Sequence, residues 1–305
     1  MTRHYLDHAS TSPLRPESAA AMAEALTGIV GDPGRIHHEG MVARHAVETA
    51  RQQVADMLDA RGREVVFTSG ATESIAMACW GASRRDGRRH SVMSAVEHSA
   101  VRRQADRGPC TVVGVDRTGR VDPDEIMAGV TDDTGIVHLQ LANHEVGTVH
   151  DVATVAHACR QRDVLCHVDA AAAVGQVAVS FRDLGCDLMS VSAHKFGGPP
   201  GIGALLVRRG LRLDPLLLGG EQERARRAGL ENVPAVVGFG AAAAALDPER
   251  LAAESLEATR RTDLLRSGLA SMDGIQAHGH PVERLPHLVC VSIADIEPQA
   301  VLLGL

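Results

Sequence analysis

Short apolar runs and amphipathic segments alternate along most of the chain. An apolar run that ends in polar residues predicts a buried strand, whereas apolar residues spaced three or four apart predict a helix. Strands that alternate with helices are typical of a mostly parallel sheet covered on both faces. The sequence therefore predicts an α/β fold with a mostly parallel central sheet flanked by helices. The predicted strands are 64–68, 91–94, 110–115, 135–141, 164–168, 187–191 and 204–207, and the predicted helices are 17–26, 40–58, 71–82, 100–105, 122–128, 152–162, 235–246 and 248–269.

The pattern changes near Asp247. Asp247 followed by Pro248 and Glu249 is typical of a helix start, because the aspartate can accept the first free N–H groups and proline fits the first turn. Beyond that helix the sequence predicts a strand at 288–292 and no further alternation of strands with helices. We therefore predict a large domain of residues 13–247 and a smaller α+β domain of residues 1–12 and 248–305.

Polar side chains come shortly after several of the predicted strands. Their positions are Thr72, His98, Asn143, Asp169 and Lys195. In an open α/β sheet the carboxyl ends of parallel strands meet at one edge, and ligands bind there. We therefore expect these five side chains to converge on one site.

Lys195 lies between two strand-like segments and precedes a turn rich in glycine and proline. Burial in a cleft lowers the pKa of a lysine amine and makes it a nucleophile. Asp169 ends the apolar run 164–168. A reactive amine and a carboxylate that keeps a pyridine nitrogen protonated are what pyridoxal 5'-phosphate (PLP) requires. A solvated loop lysine is the alternative for Lys195 taken alone, and Asp169 favours the cofactor.

The turn at 69–73 follows a predicted strand and opens a helix. Small residues at a helix N-terminus leave backbone N–H groups free beside the positive end of the helix dipole, which favours a phosphate. An ordinary threonine-capped helix is the alternative interpretation.

Composition narrows the class of protein. The chain has 305 residues, 45% of them hydrophobic, and a net charge of −7, which argues against a general nucleic-acid surface. No apolar stretch is long enough to span a bilayer, and charged residues near the N-terminus argue against a signal peptide, so we expect a cytoplasmic protein without direct DNA binding or membrane contact.

The six cysteines form no CxxC pair and are expected to be free thiols. His37 and His38 have no acid or thiol at ligand spacing, so no metal site is expected.

Several segments resemble, in order, the cysteine desulfurases of the NifS/IscS type, which belong to the aminotransferase class V group of fold-type I PLP enzymes. This resemblance implies the fold-type I architecture, PLP as the cofactor, and conversion of L-cysteine to L-alanine with the sulfur held as an enzyme-bound persulfide. It also implies a sulfur-acceptor protein, in tRNA thiolation, iron–sulfur assembly or another thio-cofactor pathway, and a homodimer in which segment 227–232 approaches the partner's cofactor. The segments that carry the resemblance are 5–11, 67–74, 97–98, 142–148, 167–170, 192–195, 201–205 and 219–224.

The resemblance also implies roles for single residues. Lys195 would bond to the cofactor and remove the Cα proton, Asp169 would hold the pyridine nitrogen protonated, and His98 would stack on the ring and move protons. Lys195 and His98 are thus the predicted catalytic residues. The predicted cofactor-binding residues are Ala71, Thr72, His98, Asn143, Asp169, Ser192, His194 and Lys195.

The chain departs from the family pattern at three places. Ala172 stands where the family usually has a glutamine that contacts the cofactor, and Leu230 stands where the family commonly has a threonine. The sulfur-accepting thiol of the family lies in a loop beyond the position of Leu305, and none of the six cysteines matches it. We therefore expect the printed chain to bind PLP and L-cysteine without completing sulfur transfer.

Two alternatives remain open on the sequence. One is a class V lyase or aminotransferase that acts on another amino acid. The other is a non-catalytic, PLP-binding partner protein, which Ala172 and the unmatched thiol favour. A Rossmann NAD protein is disfavoured, because no GxGxxG follows the first strand.

Overall fold

The computed structural model describes residues 4–304, apart from the side chain of Ala105. Its helices are α1 (Pro16–Gly28), α2 (His38–Met57), α3 (Ala71–Arg84), α4 (Ser99–Ala105), α5 (Pro123–Ala128), α6 (Val152–Gln161), α7 (Phe181–Leu184), α8 (Gln222–Ala225), α9 (Val233–Ala244), α10 (Pro248–Ala270) and α11 (Pro298–Gly304). Its strands are β1 (Val65–Thr68), β2 (His90–Ser94), β3 (Cys110–Val113), β4 (Thr134–His138), β5 (Leu165–Asp169), β6 (Leu188–Ser192), β7 (Gly203–Val207), β8 (Ile275–His278) and β9 (Cys290–Ile293).

The central sheet has seven strands in the order β1-β7-β6-β5-β4-β2-β3. Strands β2 to β6 pair in parallel, whereas β7 runs antiparallel to both β6 and β1. A parallel neighbour requires a long crossover, usually a helix, but only a turn at 193–202 joins β6 to β7. The predicted mostly parallel α/β fold is confirmed, and β7 is its antiparallel exception.

Helices cover both faces of the sheet. On one face α9 packs against α1 and α2, and on the other α3 packs over β1, β5, β6 and β7. Glycine lets α9 approach α2 closely, because a Cβ on Gly240 would lie 2.6 Å from the Cα of Ala50. Strands β1, β5, β6 and β7 are buried along their whole length, as expected for strands between two helical layers.

The C-terminal part of the chain begins with α10, whose first turn is capped by Asp247 Oδ1 accepting from Arg250 N at 2.8 Å. Strands β8 and β9 form a separate antiparallel pair. Backbone bonds tie the segment between β8 and β9 to loops of the central sheet: Val149 N donates to Glu283 O at 3.0 Å and Leu285 N donates to Gly147 O at 2.8 Å. The proposed division at residues 13–247 stays a prediction.

None of the helices in the described range is both long and apolar enough to cross a membrane.

A buried ion pair anchors the turn around α8. Arg51 on α2 is 3% exposed and Glu223 is 5% exposed, and two bonds of 2.7 Å join their side chains. Glu223 Oε2 also accepts from Phe67 N at 2.9 Å. Glu223, Arg224 and Ala225 are left-handed, with φ of 48°, 59° and 60°. Non-glycine residues in this conformation cost about 1–2 kcal/mol each, so the ion pair holds a strained turn in place.

We expect Glu223→Ala to lower the free energy of unfolding by about 3 kcal/mol, because the half-exposed Glu48 is then the only described carboxylate paired with the buried Arg51 guanidinium. Urea denaturation at constant cofactor concentration measures the loss. Arg182→Ala is the matched control, since Arg182 pairs with Asp59 at 2.8 Å but is 73% exposed, and an exposed pair contributes about 0–1 kcal/mol. Equal losses of unfolding free energy in the two variants would show that the Arg51–Glu223 pair stabilises the fold no more than an exposed pair does.

Candidate active site

A cavity of about 620 Å³ lies at the edge where the parallel strands of the central sheet end. Its size is that of a cofactor or small-ligand site. Most of the predicted site residues line it together, although they come from distant parts of the chain. The predicted residues that line it are Ala71, Thr72, His98, Asp169, Ser192, His194 and Lys195.

Lys195 closes a short 3-10 turn that follows β6. Its Nζ donates to the carbonyl oxygen of Ala9, and Ser12 Oγ donates to the Lys195 carbonyl oxygen at 2.8 Å. The N-terminal segment therefore covers the lysine. Burial lowers the pKa of the Lys195 amine, and the carboxylates of Asp169, Asp7 and Glu145 oppose that shift.

Lys195 is also the only lysine in the sequence, so thirty of the 31 lysines and arginines are arginine. A guanidinium stays protonated and cannot act as an amine nucleophile, so arginine cannot replace a lysine in such a role. This compositional signal points to Lys195 independently of its neighbours in the sequence.

Asp169 is the last residue of β5 and is 8% exposed. Its Oδ1 accepts from Ala171 N at 3.0 Å. Burial raises the pKa of Asp169, while the Ala171 N–H group and the nearby His98, His144 and Lys195 act in the opposite direction. A cationic group placed against this carboxyl from inside the cavity would favour its charged form.

The N-terminus of α3 faces the same cavity. Gly70 precedes the helix with φ of 151° and offers it no side-chain cap. Within the described residues, the backbone N–H groups of Ala71 and Thr72 have no acceptor. Free N–H groups at the positive end of a 14-residue helix form a seat for an anion.

His98 is the N-cap of α4, and its Nδ1 accepts from Ala100 N at 3.1 Å. Neutral His98 therefore carries its proton on Nε2. The ring packs edge to face against His144, with centroids 5.0 Å apart. Burial and the neighbouring His98 lower the pKa of His144. His144 lies in a segment that carries the family resemblance, but no role was predicted for it.

Glu97 and Gln140 are site residues that the sequence analysis did not assign. Gln140 lines the cavity, and its backbone N donates to Glu97 Oε1 at 2.8 Å. Glu97 is 3% exposed, and its Oε2 has no partner in the described part of the chain. Burial raises the pKa of Glu97 to about 8, with a contribution from the charge of Asp169. At neutral pH most of the Glu97 carboxyl is therefore protonated.

Asn143 is 4% exposed and does not line the cavity. Its Oδ1 accepts from Glu145 N and Val146 N, both at 2.9 Å, and its Nδ2 donates to Val96 O at 3.2 Å. The side chain thus shapes the turn that presents His144 and Glu145. Its predicted contact with a cofactor stays a prediction.

Ala172 and Leu230, two positions at which the chain departs from the family pattern, have different surroundings. Ala172 lines the cavity, whereas Leu230 is 63% exposed on the surface. Three residues before Leu230, Arg227 Nε donates to Glu73 Oε1 at 2.8 Å. Glu73 is in the first turn of α3, so this ion pair ties the segment after α8 to the anion seat.

None of the described cysteines lines the cavity. Cys159, Cys166 and Cys186 are buried. Burial raises the pKa of the Cys79 thiol to about 12. These three buried thiols and the Cys79 thiol are therefore unsuited to attack a substrate sulfur.

Comparison with known proteins identifies the family. The model of aminotransferase class-V matches residues 4–305. "Cysteine desulfurase IscS" of Methanosarcina thermophila is 38% identical over 311 residues, covering 98% of this chain and 76% of that protein. "Cysteine desulfurase IscS 1" of Archaeoglobus fulgidus is 36% identical over 308 residues, covering 99% and 80%.

Solved structures of similar proteins have the same fold. A structure titled "NIFS-LIKE PROTEIN" superposes with a TM-score of 0.91 at 32% identity, covering 98% of this chain and 84% of that one. DndA from Streptomyces lividans superposes with a TM-score of 0.82 at 34% identity, covering 98% and 87%. The predicted resemblance and the fold-type I architecture are thereby confirmed, and the chain belongs to the aminotransferase class-V family, whose cofactor is PLP.

Proposed function

We propose that this protein is a PLP-dependent cysteine desulfurase, which converts L-cysteine to L-alanine and passes the sulfur to an acceptor protein. The observation that carries the proposal is one cavity that holds the chain's only lysine amine, a buried carboxyl and a free helix N-terminus. These are the groups that PLP requires. The family and the named cysteine desulfurases that match almost the whole chain support cysteine as the substrate.

Each part of the cavity suits one part of the cofactor. Lys195 would bond to PLP covalently, and Asp169 would keep its ring nitrogen protonated. The N–H groups of Ala71 and Thr72, with Ser192 and His194, would hold the phosphate, and His98 would lie against the ring. When bound, PLP supplies an electron sink that makes the Cα proton of an amino acid removable.

The protein side of that step is proton transfer. The lowered pKa of Lys195 increases the fraction of neutral amine that can accept a proton from the substrate Cα. His98 carries its own proton on Nε2, on the side of the ring not used for capping α4. Because the N-terminal segment lies over Lys195, the amine is shielded from bulk water.

Sulfur transfer requires an accessible thiol in addition to these groups. The described cysteines lie outside the cavity, so we propose that the accepting thiol reaches it from another segment or protein. The acceptor belongs to a sulfur-transfer pathway such as tRNA thiolation or iron–sulfur assembly. We also propose a cytoplasmic location, since the described cysteines are all free thiols, as expected in a reducing compartment.

The covalent role of Lys195 is tested by borohydride reduction of the PLP-loaded protein. We expect mass spectrometry to find one reduced cofactor on the peptide that contains Lys195. Lys195→Arg should carry none, because no other side-chain amine exists in the sequence. The circular dichroism spectrum of the variant should match that of the wild type. A label that persists in Lys195→Arg would show that Lys195 is not the attachment point.

Cysteine as the substrate is tested by isotope exchange in deuterated water, which does not depend on the accepting thiol. The PLP-loaded protein should exchange the Cα proton of L-cysteine faster than that of L-serine or L-alanine, as followed by proton NMR. Lys195→Arg should slow the exchange by about 10²–10⁴-fold, the usual contribution of a general base. Faster exchange of another amino acid would favour a different class V lyase or aminotransferase. Exchange of none would favour a non-catalytic PLP-binding protein.

We further propose that the protein is a homodimer. Leu217, Leu218 and Leu230 are exposed apolar side chains on the segment that leads into α9, at 41%, 83% and 63% exposure. A partner subunit that covered this segment would bury them and stand beside the segment that Arg227 ties to the active site.

The dimer is tested by sedimentation equilibrium at micromolar concentration. Leu218→Asp should raise the dimer dissociation constant by about tenfold or more, because burying a leucine contributes about 1.5–3 kcal/mol. Leu256→Asp on α10 is the control, since Leu256 is equally accessible at 72% but lies on a different element. A monomeric wild type with full PLP occupancy would contradict the homodimer.

A further inference from the structure

A second cavity, of about 630 Å³, is rich in arginine and shares no lining residue with the active-site cavity. We call it the arginine cavity. Four separate stretches of the chain build it: helix α2, the turn before β1, the turn after β7 and the segment at α8. The arginines that line it are Arg61, Arg63, Arg208, Arg209, Arg224 and Arg226.

The carboxylates that line the arginine cavity are already engaged. Glu48 accepts from Arg51 at 3.0 Å and from Arg224 at 2.9 Å. Glu64 accepts from two backbone groups, the N–H of Arg61 at 2.9 Å and the N–H of Arg209 at 3.0 Å. Glu48 is therefore paired with Arg51 and Arg224, whereas Glu64 forms no ion pair within the described residues and its single negative charge remains among the six arginines.

Two of the six arginines have their own counter-charges, since Arg224 pairs with Glu48 and Arg208 pairs with Asp187 at 2.6 Å. Among the described residues, no carboxylate lies within ion-pair distance of the other four guanidinium groups. These four unpaired arginines are Arg61, Arg63, Arg209 and Arg226.

Arg226 is the most constrained of the four. It is half-buried, whereas Arg61, Arg63 and Arg209 are exposed. Its Nε donates to the carbonyl oxygen of Glu223 at 3.3 Å and its Nη2 to that of Val65 at 3.5 Å, so the guanidinium contacts no carboxylate among the described residues. Burial and the like charge of Arg224 lower the pKa of Arg226 to about 10. The left-handed turn that precedes it, held by the buried Arg51–Glu223 pair, fixes Arg226 at this place.

We propose that the arginine cavity is a second ligand site, which binds the phosphate group of a small molecule. Guanidinium groups bind phosphate through paired N–H donors, and four of them have no described carboxylate within ion-pair distance here. The volume is that of a small-ligand cleft rather than a flat contact surface. An acidic protein segment is a less suitable occupant, because it would reach the exposed arginines more readily than the half-buried Arg226.

The site is tested on the PLP-saturated protein, so that the cofactor's own phosphate seat is filled. Inorganic phosphate is titrated by isothermal calorimetry at low ionic strength, and a nucleoside monophosphate is titrated in parallel. We expect saturable binding of phosphate, and tighter binding of the nucleotide if the rest of the cavity contributes. Arg226→Gln should weaken phosphate binding by about tenfold or more, as loss of a charge-assisted contact implies.

The control is Arg117→Gln, which removes the same charge from an exposed arginine outside the cavity and should leave binding unchanged. If Arg226→Gln fails to fold, the double variant Arg63→Gln/Arg209→Gln replaces it, since both of these side chains are exposed. Equal binding in the wild type and the cavity variants overturns the proposal, as does absence of saturable binding to the wild type. Binding of a hexaglutamate peptide without binding of phosphate overturns it in favour of an acidic protein partner.

Discussion

The position of the Lys195 amine depends on the tight turn that reverses the chain between β6 and β7. Ala193 N donates to Ile202 O at 3.2 Å and Gly198 N donates to Ala193 O at 2.9 Å, which closes the turn on itself. A Cβ on Gly203 would lie 2.7 Å from the Cα of Gly70, so only glycine lets β7 approach the start of α3. This close approach brings the lysine and the anion seat to the same cavity.

Burial then sets the protonation of the groups around that lysine. It raises the pKa of Asp169 and Glu97 and lowers the pKa of Lys195, so each group is driven toward its neutral form. In the proposed enzyme a cationic ring nitrogen beside Asp169 restores the charge of that carboxylate, whereas Glu97 remains a protonated acid behind the site. Burial thus favours the uncharged amine of Lys195, and the cationic ring nitrogen would keep Asp169 ionised in the same cavity.

The strained turn at α8 connects helix α2 with the anion seat. Glu223 forms an ion pair with Arg51 of α2, and Arg227 forms an ion pair with Glu73 at the anion seat. Arg226, between these two anchors, lines the arginine cavity. Neighbouring arginines therefore serve different cavities: Arg226 lines the arginine cavity, and Arg227 holds Glu73, which lines the active-site cavity.

The sequence by itself determined the α/β class, nearly all long helices and central strands, and the placement of Lys195 and Asp169 in one cavity. These features depend on local periodicity and on the rule that parallel strands present their carboxyl ends at one edge. Tertiary structure alone decided the antiparallel direction of β7, the structural use of the Asn143 amide, and the burial of Glu97. It also decided the arginine cavity, whose four segments come from separate parts of the chain. Burial, counter-charges and hydrogen-bond partners depend on residues distant in sequence, so no local pattern could reveal them.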